Sequence, residues 1–262
     1  MNSLLDSLFD QLTSFWKTSH APRTRRAFRC DCGRPVFFRN SQCLGCDAPL
    51  GYQPRLGELR TLQAGKEPDT WRLSGDSSTQ CDYRRCSNFD TPAGCNWLVP
   101  MHDSSKLCIA CRLNHTIPDL DDSDNQRYWK SIEAAKRRLV SQLLALGLPV
   151  ESKTEKPEQG LAFDILRSSV NGPKVLTGHA NGLITLNAEE ADDVKREEIR
   201  TALHEPYRTL LGHFRHKIGH YYWDCLVRDT AWLEPFRDLF GDERADYSAA
   251  LNANYENGPP PD

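Results

Sequence analysis

The chain has 262 residues, of which 39% are hydrophobic, and its 33 Lys or Arg against 36 Asp or Glu give a formal net charge of −3. The length allows one large domain with small modules or two domains, and the slight acidity argues against binding of nucleic acid over the whole surface. No apolar stretch approaches the roughly 20 residues of a membrane-spanning helix, so we expect no membrane span.

Residues 1–22 are predicted to form an amphipathic N-terminal helix or extension. Asp6 and Asp10 interrupt the apolar stretch and no basic segment precedes it, which is unlike a secretory signal peptide. Apolar residues recur here at helical spacing: Leu4, Leu5, Leu8, Leu12, Phe15 and Trp16. We favour packing of this helix on the body of the protein or on a partner, with a membrane-surface role as the alternative.

Residues 23–118 contain two groups of cysteines with the spacing of metal sites. The first group places a CxC pair ten residues before a CxxC pair: Cys30, Cys32, Cys43 and Cys46. Two close pairs delivered by two turns can surround a tetrahedral Zn²⁺ ion, and so small a module has little core to hold it otherwise. We therefore predict a structural zinc site in a small hairpin module.

The second group is spaced more loosely, and only its last pair is a CxxC: Cys86, Cys95, Cys108 and Cys111. We predict a second structural zinc site here, with Cys81 as the alternative to Cys86. The two groups account for eight of the ten cysteines. Without a visible export signal, they favour thiolate-bound zinc in a reducing cytoplasm over disulfides.

Four-thiolate sites leave no open position for a substrate, so both sites are predicted to hold shape rather than to catalyse. Seven Lys or Arg against one Asp between Lys17 and Arg39 make the first module basic. These cations could contact the phosphates of a nucleic acid, but we favour a solvated face. Cys225, alone in the later part of the chain, is expected to be a small buried residue rather than a reactive thiol.

Residues 119–128 are acidic and polar, and are predicted to be a linker before a large domain over residues 129–262. A helix is expected from Trp129 to Leu146, where Gly147 ends it. Strands are expected at LAFDIL and at GLITLN, the latter just after an Asn-Gly turn signal, and an acidic helical stretch follows.

The segment GHFRHKIGHYYWD, residues 212–224, is predicted to lie on a helix. At about 100° per residue, one stripe of this helix is its core face: Tyr207, Leu211, Phe214, Ile218, Tyr222 and Cys225. His213, His216 and His220 fall on the opposite side. Histidines four residues apart on one face are the arrangement by which the HExxH helix of a zincin presents two zinc ligands. We therefore predict His216 and His220 as ligands of a third zinc ion.

Two histidines do not complete a catalytic zinc site, which needs a third protein ligand and a water. Glu243, 23 residues after His220, is the candidate for the third ligand. Asp224 and Asp246 are the candidates for orienting a ligand from outside the coordination sphere.

Lys217 stands where the HExxH pattern has its glutamate. That glutamate accepts a proton from zinc-bound water and passes it to the leaving amine. An ammonium group has no lone pair for this role, and its charge opposes a nearby dication. No intact catalytic residue is therefore predicted, and Lys217 either points away from the metal or weakens its binding.

Several long motifs, in this order, resemble the bacterial zinc-binding metallopeptidases that carry an N-terminal zinc ribbon. The motifs are FRCDCG, CNWLVP, LCIACRLNHTIPDL, TGHANGLITLN, EPYRTLLGHFRHKIGHYYWD and FGDERADY. The resemblance covers the chain from about residue 28 onward. It implies a gluzincin-like domain with His216 and His220 as ligands and a glutamate in place of Lys217. The resemblance also implies that relatives continue past the last residue of this chain. On that expectation the chain is C-terminally truncated, and the third ligand, if it is not Glu243, is missing.

The expected fold is α+β, with Cys₄ zinc-ribbon modules followed by a zincin-like, mainly helical metallopeptidase domain. The expected function is hydrolysis of peptide bonds in peptides or proteins by zinc-activated water, impaired or abolished by Lys217 as in a pseudoenzyme. The alternative is a non-catalytic zinc-binding adaptor or nucleic-acid-binding module that uses the Cys₄ sites and the basic N-terminal stretch.

Overall fold

The computed structural model of the chain describes residues 27–75, 82–168, 174–202 and 209–258. The predicted N-terminal helix over residues 1–22 lies outside the described residues. None of the described helices combines the length and the apolar character that crossing a bilayer requires.

Within these ranges the chain forms eleven short strands and five α-helices. The strands are β1 (Ala27–Arg29), β2 (Pro35–Phe37), β3 (Leu50–Gln53), β4 (Glu58–Ala64), β5 (Trp71–Leu73), β6 (Tyr83–Arg85), β7 (Leu98–Pro100), β8 (Asn114–Thr116), β9 (Ala162–Leu166), β10 (Gly178–Ala180) and β11 (Leu183–Asn187). The helices are α1 (Ser123–Ala145), α2 (Asp193–Ala202), α3 (Leu210–Leu226), α4 (Leu233–Phe240) and α5 (Tyr247–Asn257).

The cysteine-rich part is built from two antiparallel sheets. β1 and β2 form the predicted hairpin, and β3 to β7 follow one another in a five-stranded meander. Tyr52 joins them, because its ring lies 4.8 Å from the rings of both Phe38 and Trp97. Large aromatic side chains supply most of the buried area in so small a module.

A mixed four-stranded sheet with the order β10-β11-β9-β8 follows. β8, β9 and β11 are mutually parallel, and β10 is antiparallel to β11. The turn between β10 and β11 uses Asn181 and Gly182, whose φ angles are 47° and 80°, as a tight hairpin with two left-handed positions requires. A Cβ atom at Gly182 would lie 2.2 Å from the Gly160 oxygen, so this position needs glycine.

Helix α1 begins at Ser123, inside the stretch that the sequence suggested as a linker. The Asp122 carboxylate accepts hydrogen bonds from the Asp124 and Asn125 amides, at 2.8 and 3.0 Å. This N-cap allows a polar first turn to be helical, which periodicity of apolar residues does not reveal. The chain has both sheets and helices, as the expected α+β class requires. Its first described helix starts at Ser123 rather than at the predicted Trp129.

The chain divides into two compact units, Met1–Tyr221 and Tyr222–Asp262. In the first unit, the buried rings of Phe163 on β9 and Phe214 on α3 meet edge to face at 5.5 Å. In the second, Trp223 and Phe236 pack at 5.9 Å. Ile218 is buried as predicted, but Cys225 is exposed, so the core stripe of α3 does not extend to it.

Candidate metal centres

The first cysteine group converges in the structure. The Sγ atoms of Cys30 and Cys46 are 3.6 Å apart, and those of Cys32 and Cys43 are 3.7 Å apart. All four lie within 4.8 Å of one another. Two turns bring them together: the β1–β2 turn, in which Gly33 has a φ of 83°, and the loop before β3.

These distances suit zinc. Four sulfurs about 2.3 Å from a tetrahedral Zn²⁺ ion lie about 3.8 Å from one another. The thiolate is the form that binds metal, and four cysteine sulfurs at this spacing form a donor set that fits the ion.

The second cysteine group is also brought together, but inside the protein. Cys86, Cys95, Cys108 and Cys111 are each at most 1% exposed, and their sulfurs also lie within 4.8 Å of one another. The Sγ atoms of Cys95 and Cys108 are 3.6 Å apart. Cys86 is the residue in this cluster, and Cys81 lies outside the described residues. The four buried sulfurs have the spacing of a tetrahedral four-thiolate site, so this group fits zinc as well.

Helix α3 places the imidazoles of His216 and His220 on consecutive turns of one exposed face. Their Nε2 atoms are 3.0 Å apart and their ring centroids 4.9 Å apart. Two nitrogen ligands about 2.0–2.1 Å from a tetrahedral zinc lie about 3.4 Å apart. The pair is therefore close to the spacing of two ligands, and without metal the same spacing is that of an imidazole–imidazole hydrogen bond.

Lys217 adds positive charge beside this pair. The pKa of His216 is lowered, first by partial burial of its ring and then by the charges of Lys217 and His220. A neutral imidazole is the form that binds zinc. In the described part of the first unit, no third His, Cys, Asp or Glu ligand atom lies within 4.8 Å of both histidines.

His213 faces a different partner from the other two histidines. Its Nδ1 atom contacts the Glu190 carboxylate, and the Thr177 hydroxyl donates to the same carboxylate. His213 thus connects α3 to the short helical turn Ala188–Ala191 after β11. Its contact supports the packing of the helix rather than the binding of a metal.

The three predicted carboxylates each have a structural contact in the second unit. Arg237 holds both oxygens of Glu243, at 2.7 and 3.0 Å, and this hydrogen bonding is the main cause of a lowered Glu243 pKa. Asp246 accepts from the Ala249 amide at 3.1 Å at the start of α5, and Asp224 pairs with Arg228 at 2.5 Å. The ligand role of Glu243 stays a prediction.

Comparison with known proteins assigns the larger part of the chain. Residues 125–262, more than half of the sequence, match the family described as "Putative zinc-binding metallo-peptidase". The chain belongs to this family of zinc-binding metallopeptidases. Residues 27–122 match a zinc-ribbon domain family.

The chain has mycobacterial relatives. It is 41% identical over 237 residues to an uncharacterized protein of Mycobacterium tuberculosis and, to the same extent, to one of Mycobacterium bovis. The aligned region covers 90% of this chain and 64% of each relative, so the chain spans less than two thirds of the length of these relatives. No solved structure matches it.

Sequence reasoning missed the part that α1 plays at the second cysteine group. Glu133 is fully buried there, and its Oε2 atom lies 3.8 Å from Cys111 Sγ. The neighbouring Lys136 is also fully buried. A signal was present, because Lys136 falls on the apolar stripe with Ile132 and Leu139, where a charge needs a partner.

Proposed function

We propose that this chain is a zinc-dependent, peptidase-type hydrolase in which His216 and His220 bind the catalytic metal and Lys217 impairs or abolishes turnover. The observation that carries the proposal is the convergence of the two Nε2 atoms, 3.0 Å apart, within the residues matched by the metallopeptidase family. Phe214, which packs against Phe163, fixes the opposite face of the helix and so aims the histidines outward.

Zinc, when bound, activates a water molecule for attack on a peptide carbonyl. The chain must then supply a group that accepts the proton from that water. In the family pattern this group is the carboxylate of a glutamate. In this chain the same position holds Lys217, whose side chain is partly buried. As an ammonium it can donate a proton but not accept one, so the first proton transfer lacks its base.

A peptide substrate suits the sheet beside α3. β10 lies at one end of the strand order, and edge strands bind extended peptides through main-chain hydrogen bonds. His179 on β10 lies 6.2 Å from Tyr221 of α3, ring to ring, which places this edge next to the helix of the histidines.

Elemental analysis of purified protein tests the metal part. We expect three zinc ions per chain, and Ala substitution of both His216 and His220 should reduce the count by one. A count of two that does not change in the double variant would mean that the pair holds no metal.

Restoring the base tests the catalytic part. Lys217→Glu is expected to cleave members of a broad peptide library, whereas Lys217→Gln, which removes the charge without adding a base, should not. A Lys217→Glu protein with three zinc ions that cleaves nothing in the library would contradict the proposal.

The second candidate function is a non-catalytic adaptor or nucleic-acid-binding module. Its support is the exposed surface of the first cysteine module, where Arg29, Arg34 and Arg39 accompany Leu44, which is 92% exposed. Binding of single-stranded or duplex nucleic acid that weakens steeply with salt would favour it. Absence of binding at low salt would remove the nucleic-acid version.

A further inference from the structure

Three charged side chains of α1 lie behind the second cysteine group. Glu133 and Lys136 are completely buried and the Arg137 side chain is only 6% exposed. Spacings of three and four residues put them on one face of the helix. Burying ions costs free energy unless each charge is compensated, so their partners decide what this face does.

The contacts tie α1 to the cysteine-bearing loops. Lys136 Nζ donates to Glu133 Oε1 at 2.5 Å and also to the Asn114 side chain. Arg137 donates from Nη2 to the Ala93 oxygen at 2.8 Å, two residues before Cys95. Glu133 also contacts Cys111, as described above. Both halves of the cysteine group are therefore in contact with this one helix face.

The charges on this face do not balance among themselves. One carboxylate, Glu133, accompanies two cations, and Arg137 Nη1 lies 3.8 Å from Glu133 Oε2 without a hydrogen-bond partner among the described residues. A zinc ion bound by four thiolates carries two negative charges. The surplus positive charge of α1 is therefore opposite in sign to the filled site and compensates part of its negative charge.

We propose that α1 completes the second zinc site: Arg137 and the Glu133–Lys136 pair form its electrostatic outer shell, so that Zn²⁺ binding and docking of α1 are coupled. The helix lies in the metallopeptidase match and the cysteines lie in the zinc-ribbon match. The second zinc ion thus connects the region of the zinc-ribbon match to the region of the metallopeptidase-family match. Because coupling is reciprocal, docked α1 also holds the zinc more tightly.

Zinc release into a chromogenic chelator tests the coupling in the whole chain. Arg137→Gln is expected to accelerate release from the buried site by on the order of 10–100-fold, the usual effect of removing an outer-shell partner of a metal site. Arg137→Lys, which keeps the charge, should recover much of the difference. The matched control is Lys130→Gln, which removes the same charge from an exposed position of α1. Release from Arg137→Gln as slow as from the control would overturn the proposal.

Hydrogen exchange of the unmutated protein gives a second test that does not depend on a variant folding. Zinc is withdrawn stepwise with a chelator, and the amides of α1 are followed by mass spectrometry. Protection of α1 should fall when the buried zinc leaves and not when the exposed first site is emptied. Full protection of α1 after loss of both cysteine-bound zinc ions would also overturn the proposal.

Discussion

Asn96 donates its side-chain amide to the main-chain oxygen of Phe38 at 2.8 Å. A second hydrogen bond from the same nitrogen reaches the Asn40 oxygen at 2.9 Å. Asn96 follows Cys95 of the second cysteine group, and Phe38 follows the hairpin of the first. One buried amide therefore joins the two cysteine modules.

Replacing Asn96 by alanine should lower the free energy of unfolding by about 1–3 kcal/mol, because two carbonyl oxygens lose their donor in a buried place. Denaturant titration followed by the fluorescence of the ribbon tryptophans measures the effect. Asn252→Ala, at an exposed position of α5, is the control and should stay within about 0.5 kcal/mol. Equal stability of the two variants would mean that Asn96 does not join the modules energetically.

Chelation should remove the two cysteine-bound zinc ions in two phases. Cys32 and Cys46 of the first group are exposed, whereas all four cysteines of the second group are buried, so a chelator reaches the first site more readily. Stopped-flow absorbance with a coloured chelator measures both phases in a protein with His216 and His220 replaced by alanine, which lacks the third zinc ion proposed above. Cys46→Ser in this background should remove the fast phase alone, and a single phase without that substitution would contradict the difference in access.

The N-cap of α1 should make stability depend on acid pH. Hydrogen bonds from the Asn125 amide, and then from Asp124, hold the pKa of Asp122 below its usual range. A carboxyl with a lowered folded-state pKa stabilises the fold above its unfolded pKa, and this stabilisation is lost as the pH falls through the lowered value.

Thermal midpoints from neutral pH to below about pH 4 test this cap. Asp122→Asn keeps an acceptor for the helix amides, so it should stay folded at neutral pH and lose part of the acid dependence. Asp122→Ala should be less stable than both at neutral pH. The same acid dependence in all three proteins would assign it to other groups.

The contact between Phe214 and Phe163 should be the main packing support of α3 in the first unit. Both rings are 0% exposed, so Phe214→Ala should cost about 3–5 kcal/mol and should weaken zinc binding by the histidines on the same helix. Calorimetry and zinc analysis measure the two effects. Phe240→Ala, whose side chain is 74% exposed, is the matched control and should change neither.

Local signals in the sequence were sufficient for much of the fold. The spacing of the cysteines grouped Cys30 with Cys32, Cys43 and Cys46, and the Asn181–Gly182 pair predicted the turn before β11, although β10 on the other side of that turn was not predicted. These features depend on residues close in sequence, for which turn geometry and thiol spacing are strong constraints. The histidine pair is local in the same sense, since helical spacing alone brings His216 next to His220.

Features that depend on distant partners could not be predicted. Arg137 donates a hydrogen bond to the main-chain oxygen of Ala93, 44 residues earlier. The periodicity of apolar residues does not indicate such a contact. Cys225 was expected to be buried because it continues the core stripe of α3, but it is exposed. A stripe predicts which face of a helix can be buried, and the neighbouring elements decide how far along the helix burial extends.

The parallel pairing of β8 with β9 affects how this protein could have been assembled and how it can be divided. β8 lies within the zinc-ribbon match, three residues after Cys111, yet it forms the outer strand of the sheet of the metallopeptidase part. A fragment that starts between the two matches would leave β9 with an open edge, and open edges invite pairing between molecules. The two matched regions are therefore not independent of each other. A different zinc ribbon could replace this one only if it also supplied a strand that pairs with β9.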